Sequence, residues 1–177
     1  MQIVLQRVSR AAVHVNGEVV GTIRRGLVAL VGVGHRSTER DAAWLAAKTQ
    51  GLRIFADEQR NEERAVAEAA VGGRGRRGDR TVAEMTVGGR GARMNRSVAE
   101  IGGGVLVISQ FTLYADTRKG RRPSFVDAAA PERAESLYEA YCEALTVPVA
   151  KGVFGAYMDI EMVADGPVTI LLARETG

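Results

Sequence analysis

Ala11-Ala12-Val13-His14-Val15-Asn16-Gly17-Glu18-Val19-Val20 sets an antiparallel hairpin near the start of the chain. Two β-branched runs flank Asn16-Gly17. A two-residue type I′ turn needs positive φ at both central positions, which Asn and Gly tolerate best. Working outward, Ile3 to Val8 reads as a strand by its β-branched content. Leu27-Val28-Ala29-Leu30-Val31-Gly32-Val33 is a continuous apolar run, suited to a strand buried on both faces. Gly104 to Leu113, Ala156 to Val163 and Val168 to Leu172 are further strands, the last two separated by Asp165-Gly166-Pro167. Thr38 can cap a helix, with Asp41 three residues on, and Trp44, Leu45, Lys48 and Leu52 keep helical spacing. Pro131 suits a first helical position. Ala134, Leu137, Tyr138, Tyr141, Cys142 and Leu145 then form one apolar stripe. Strands dominate and two main helices interrupt them. The fold class is α+β (mixed α/β), built from curved β-sheets.

A length of 177 residues favours a single domain spanning 1–177. Hydrophobic residues make up 46% and charged residues 25%, an ordinary globular balance. No apolar run approaches the roughly 20 residues of a membrane span. Met1 to Arg7 lacks both a basic n-region and a long apolar core, so a signal peptide is not expected and a cytoplasmic location is. The one cysteine, Cys142, lies on the apolar stripe and reads as a core residue, not a nucleophile. With two histidines, no rich metal site is expected. A net charge of +3 permits a polyanionic partner such as RNA without demanding one.

Residues 65–80 and 81–96 align without gaps. Val66-Ala67-Glu68 recurs as Val82-Ala83-Glu84 and again as Val98-Ala99-Glu100. Val71-Gly72-Gly73-Arg74-Gly75 recurs as Val87-Gly88-Gly89-Arg90-Gly91. The segment is glycine-rich with little to bury, so residues 59–90 are expected to form a mobile surface loop inserted in the domain. It holds no aromatic residue for stacking on bases and no Gly-Lys-Ser/Thr of a phosphate loop.

Neither His14, in the hairpin, nor His35, in a loop, sits in a recognisable triad. Two other stretches are more specific. Ser109-Gln110-Phe111-Thr112-Leu113 runs on into Asp116-Thr117-Arg118-Lys119-Gly120-Arg121-Arg122-Pro123-Ser124-Phe125, and Gly166-Pro167-Val168-Thr169 lies near the C-terminus. Together they resemble the two signature motifs of the D-aminoacyl-tRNA deacylase family. Leu5-Gln6-Arg7-Val8, Leu52-Arg53-Ile54-Phe55 and Met94-Asn95-Arg96-Ser97-Val98 are similar to that family as well, in the same order. Without two 16-residue repeat units the chain has 145 residues, a typical family length.

The resemblance implies a homodimer with active sites at the interface, acting on the aminoacylated 3′ end of tRNA with no metal or organic cofactor. Ser109, Gln110, Phe111 and Thr112 would form the catalytic pocket floor. Thr112 and the backbone N–H groups near Phe111 would stabilise the oxyanion. Gly166-Pro167, joined by a cis bond, would reach into the partner's pocket and reject L-amino acids sterically. Phe125 would wall the pocket, Met94 and Asn95 would approach the terminal adenosine, and Arg7 and Thr169 would complete the substrate-binding set. D-aminoacyl-tRNA and glycyl-tRNA(Ala) are the implied substrates, cleaved with help from the tRNA 2′-hydroxyl. This chain departs from the family at Ala164, where asparagine is usual, and at Ala92-Arg93-Met94-Asn95, where Gly-Lys-Met-Asn is usual. Two rival readings stand beside it: a catalytically inactive tRNA-binding module, and a conventional Ser/Thr esterase.

Overall fold

Strand β1 (Gln2–Val15) is the spine of the sheet, because it finds partners along both edges. In the computed structural model, which describes residues 1–57 and 94–176, its C-terminal half turns through Asn16-Gly17 into β2 (Glu18–Ile23). Both turn residues take positive φ, 53° and 83°, as the sequence requires. The first half of β1 pairs antiparallel with β3 (Gly26–Gly32). Its other edge pairs antiparallel with β8 (Asp159–Ala173). Beyond β3 the sheet continues in parallel to β6 (Gly104–Ser109) and β7 (Val149–Lys151). A short ribbon, β4 (Phe55–Ala56) with β5 (Met94–Arg96), stands apart. The 59–90 repeat lies outside the described residues.

Parallel neighbours need long crossovers, and helices supply them. Helix α1 (Glu39–Gly51) lies in the β3–β6 connection, and α2 (Pro131–Glu143) in the β6–β7 connection. The expected capping box is present: Thr38 accepts from the Asp41 N–H, and the Asp41 carboxylate accepts from the Thr38 N–H at 3.0 Å. Along α1 the buried face is Asp41, Ala42, Leu45, Ala46 and Thr49, whereas Trp44 turns outward beneath the Lys48 and Arg174 cations. Helix α2 buries Leu137, Tyr138, Tyr141 and Cys142, as its stripe implies.

Strand alternation sorts the sheet's side chains into two cores. Leu27, Ala29, Val31, Val105 and Val107 face the helices. Val28, Leu106 and Ile108 face the other way and pack with Val8 and Val13. That second core exists because the sheet curls. A methyl on Gly21 of β2 would meet the Lys151 carbonyl oxygen of β7 at 2.7 Å, so only glycine permits the approach. Apolar residues on both faces of β3 explain its unbroken hydrophobic run. Among the described residues, no helix is long and apolar enough to cross a membrane.

Two strand expectations are corrected. The run from Gly104 to Leu113 stops being a strand at Ser109. After the Gln110 N–H donates to the Val31 carbonyl at 2.7 Å, Phe111–Tyr114 wind into a single 3₁₀ turn. Ala156–Val163 and Val168–Leu172 are not two strands parted by a turn, since Asp159 to Ala173 is one strand. β1 supplies a continuous partner, and the Gly-Pro dipeptide is absorbed as a bulge. Val8 pairs with Ala164 and Gln6 with Thr169, so Asp165, Gly166, Pro167 and Val168 together face the single residue Arg7.

Candidate active site

The end of β6 and the turn after it open a cavity of about 350 Å³. Ser109, Gln110 and Phe111 line one side, and Phe125 closes another. The Phe111 and Phe125 rings meet edge-on with centroids 5.1 Å apart, the arrangement their quadrupoles favour. Ala129, Tyr138 and Phe154, which no local motif marks, complete the apolar wall. Tyr138 donates its hydroxyl to the Val107 carbonyl at 2.9 Å, and burial pushes its pKa up, so it stays neutral. Thr112 sits on the same turn, exposed, with its hydroxyl oxygen accepting from the Gln110 amide. The Phe111 and Thr112 N–H groups begin that turn, where helical geometry leaves donors unclaimed. No described residue accepts from either one.

A larger open groove of about 540 Å³, lined by Arg40, Arg133 and Thr176 among others, lies between the helix starts. None of the motif residues borders it. The smaller cavity is the better candidate because it is apolar, aromatic-walled and carries the motif.

The remaining residues singled out by sequence gather elsewhere. Arg7 is buried inside the β8 bulge. Its guanidinium pairs with the Asp165 carboxylate at 3.0 Å and donates to the carbonyls of Asp165 and Ile54. The Phe55 ring lies 5.9 Å from it. Arg7 therefore braces the bulge and does not point into open space. Asp165, its counter-ion, was not singled out from the sequence; its place beside Gly166 was the available signal. The Gly166-Pro167 bond is cis, and both residues are exposed. Thr169 donates its hydroxyl to Gln6. Met94 and Asn95 lie in the β4–β5 ribbon beside this cluster, and the Asn95 amide oxygen has no hydrogen-bond partner among the described residues.

These two groups do not meet within one chain. Gly166-Pro167 lies level with Arg7 on β1, whereas Gln110 lies level with Val31, the partner of Ile3. Four residues along β1 and three strand spacings across the sheet put them roughly 20 Å apart. His14 is a half-buried strand residue 3.8 Å from Glu161, and His35 is an exposed loop residue contacting the Val126 carbonyl. Neither histidine lines the cavity.

The chain is similar to known proteins over nearly its whole length. A family model described as D-Tyr-tRNA(Tyr) deacylase matches residues 4–73 and 80–173. The D-aminoacyl-tRNA deacylase of Rhodopirellula baltica is 46% identical over 175 residues, covering 97% of this chain and 99% of its own. That of Opitutus terrae is 46% identical over 182 residues, covering 99% and 100%. Among solved structures, the c-Myc DNA Unwinding Element Binding Protein matches with a TM-score of 0.77 and 31% identity, over 99% of this chain and 100% of that one. A probable eukaryotic D-amino acid tRNA deacylase shares the fold, with a TM-score of 0.67 at 16% identity over 97% of each chain.

Proposed function

The chain belongs to the D-Tyr-tRNA(Tyr) deacylase family, and from that premise we propose how it selects and cleaves its substrate. It is a D-aminoacyl-tRNA deacylase, a hydrolase of the ester between amino acid and tRNA. Glycyl-tRNA(Ala) is a second substrate, since glycine has no side chain to exclude. The protein acts in the cytoplasm as a homodimer.

The observation that carries the reading is the separation of the two motif groups. A pocket with an aromatic wall and open donors lies in one region, and an exposed, braced Gly166-Pro167 lies roughly 20 Å away. A second copy brings the partner subunit's Gly166-Pro167 to the pocket mouth. There its backbone oxygens collide with an L-side chain, while a D-side chain points away. The aminoacyl carbonyl faces the Phe111 and Thr112 N–H groups. As water attacks, the carbonyl oxygen gains charge and these fixed donors stabilise it. The new C–O bond forms from water, the bond to the ribose 3′-oxygen breaks, and the water proton reaches that oxygen by way of the 2′-hydroxyl. Thr112, held by Gln110, orients the ester and forms no covalent intermediate.

Deacylation assays with D-Tyr-tRNA, L-Tyr-tRNA and D-Tyr-tRNA ending in 2′-deoxyadenosine test this. Only the first should be cleaved efficiently. Full turnover of the deoxy substrate would remove the tRNA hydroxyl from the mechanism. A trapped acyl group on Thr112 would restore the esterase reading, and hydrolysis of the L-form would end the selectivity argument.

A further inference from the structure

Among the described residues, the densest run of positive charge lies in one loop. Arg118, Lys119, Arg121 and Arg122 carry four positive charges with no acid between residues 117 and 123. The whole chain is +3, so the remainder is net −1. The loop that carries them is pinned at its base. Asp116 and Ser124 exchange both backbone hydrogen bonds, at 2.7 and 2.9 Å. Arg118 is committed to this base as well. Its N–H, Nε and a terminal nitrogen all donate to the Asp116 carboxylate, at 3.0, 2.9 and 2.8 Å, which holds that acid down to about 2. Gly120 turns the tip with φ of 69° in open space.

Lys119, Arg121 and Arg122 are left over. All three are exposed, and none has an acidic partner among the described residues. Three like charges within four residues repel one another, and a row of fixed anions relieves that repulsion. The loop leads directly into Phe125, the cavity wall. Three residues of chain span at most about 11 Å, so the Arg122 Cα stays within that distance of the Phe125 Cα.

We propose that Lys119, Arg121 and Arg122 form a clamp for backbone phosphates of the tRNA acceptor arm, beside the cavity that takes the terminal ester. This rests on the tRNA-ester reading of that cavity. Single-stranded RNA leads from the ester to the stem, and regularly spaced phosphates are the polyanion that three solvated cations on a braced loop match. An acidic protein surface is the rival occupant.

The test is binding of an uncharged acceptor-stem RNA hairpin with a single-stranded 3′ end, followed by fluorescence anisotropy between 50 and 200 mM salt. Each phosphate contact to a single strand contributes about 0.7 to the slope of log K against log salt. The triple variant Lys119→Gln, Arg121→Gln, Arg122→Gln should therefore lower that slope by about 2. The wild type then loses about 20-fold more affinity than the variant over this range. Lys119→Arg should keep the full slope, and an unchanged thermal melt shows that the triple variant is folded. Equal slopes for wild type and triple variant would overturn the proposal, as they would if the loop serves an acidic protein. The RNA probe carries no ester. A failure here therefore leaves the hydrolysis reading standing, and an intact slope without D-aminoacyl-tRNA hydrolysis fails that reading alone.

Discussion

Replacing Arg7 with alanine should damage both stability and chiral discrimination. The guanidinium is almost wholly buried and its partners are unequal. The Asp165 side chain is 38% exposed, so water can take over part of its solvation once the cation is gone. The Ile54 carbonyl lies in a buried contact and cannot be rescued in that way. Leaving such an acceptor unpaired costs about 1–3 kcal/mol. Breaking a fully buried ion pair costs about 3–5 kcal/mol, and exposure of Asp165 reduces its share to a fraction of that. A total near 3 kcal/mol follows, equivalent to a fall in Tm of about 6–12 °C for a chain of this size. The functional effect is separate. Four residues of β8 face Arg7 alone, so without it the Gly166-Pro167 segment loses its internal brace. The ratio of kcat/KM for D-Tyr-tRNA over L-Tyr-tRNA should drop, with L-Tyr-tRNA becoming a detectable substrate. Arg7→Lys should recover part of the stability but little of the ratio, because an ammonium lacks the planar fork that reaches both partners. Thermal melting and paired deacylation assays measure the two effects. A destabilised variant with undiminished discrimination would refute the positioning role, and an unchanged Tm would refute the burial argument itself.

The acid limb of stability should report Asp41. Its buried carboxyl is pushed up by desolvation, but hydrogen bonds from Thr38 and Thr176 outweigh this and set it at about 2, below the ordinary 3.8. The unfolded chain therefore takes up the proton first. The contribution, about 2 kcal/mol, is complete above pH 4 and lost as pH falls through 2, and Asp41→Asn should flatten this part of a Tm-versus-pH curve. Cys142 should be inert: burial raises its thiol to about 11, so a thiol reagent at pH 8 should label only the unfolded protein, and Cys142→Ala should retain deacylase activity. Labelling of the native protein at the unfolded rate would contradict its place in the core.

Elements governed by local chemistry were legible in the sequence. The Asn16-Gly17 turn, the Thr38–Asp41 capping box and the Pro131 helix start each depend on a few neighbouring residues, and each forms where expected. Elements governed by distant partners were not. Phe111-Thr112-Leu113 has strand-like composition, yet Val31 takes the last ladder bond at Gln110 and the chain turns. Gly166-Pro167 has the composition of a turn, yet the continuous edge of β1 keeps both sides in one strand. The Phe111–Phe125 wall was readable as a motif. Ala129, Tyr138 and Phe154 were not, because they reach the cavity from α2 and from segments flanking it, and nothing local marks them. Arg7 stood out by resemblance, but its burial against Asp165 inside the bulge was not readable from the sequence.

The central place of β1 also governs how this molecule is made. One edge of that strand is covered by β3 within the first 32 residues, but its other edge waits for β8, which begins at Asp159. At translation rates of about 5–20 residues per second, the interval between them lasts roughly 6–28 s. Throughout that time a nascent chain carries an uncovered strand edge beside apolar side chains, the kind of surface that recruits other strands. This late strand is also the one that carries Gly166-Pro167. A chain truncated before β8 therefore loses the segment proposed to select the substrate together with the cover for its central strand, and is directed to aggregation and proteolysis.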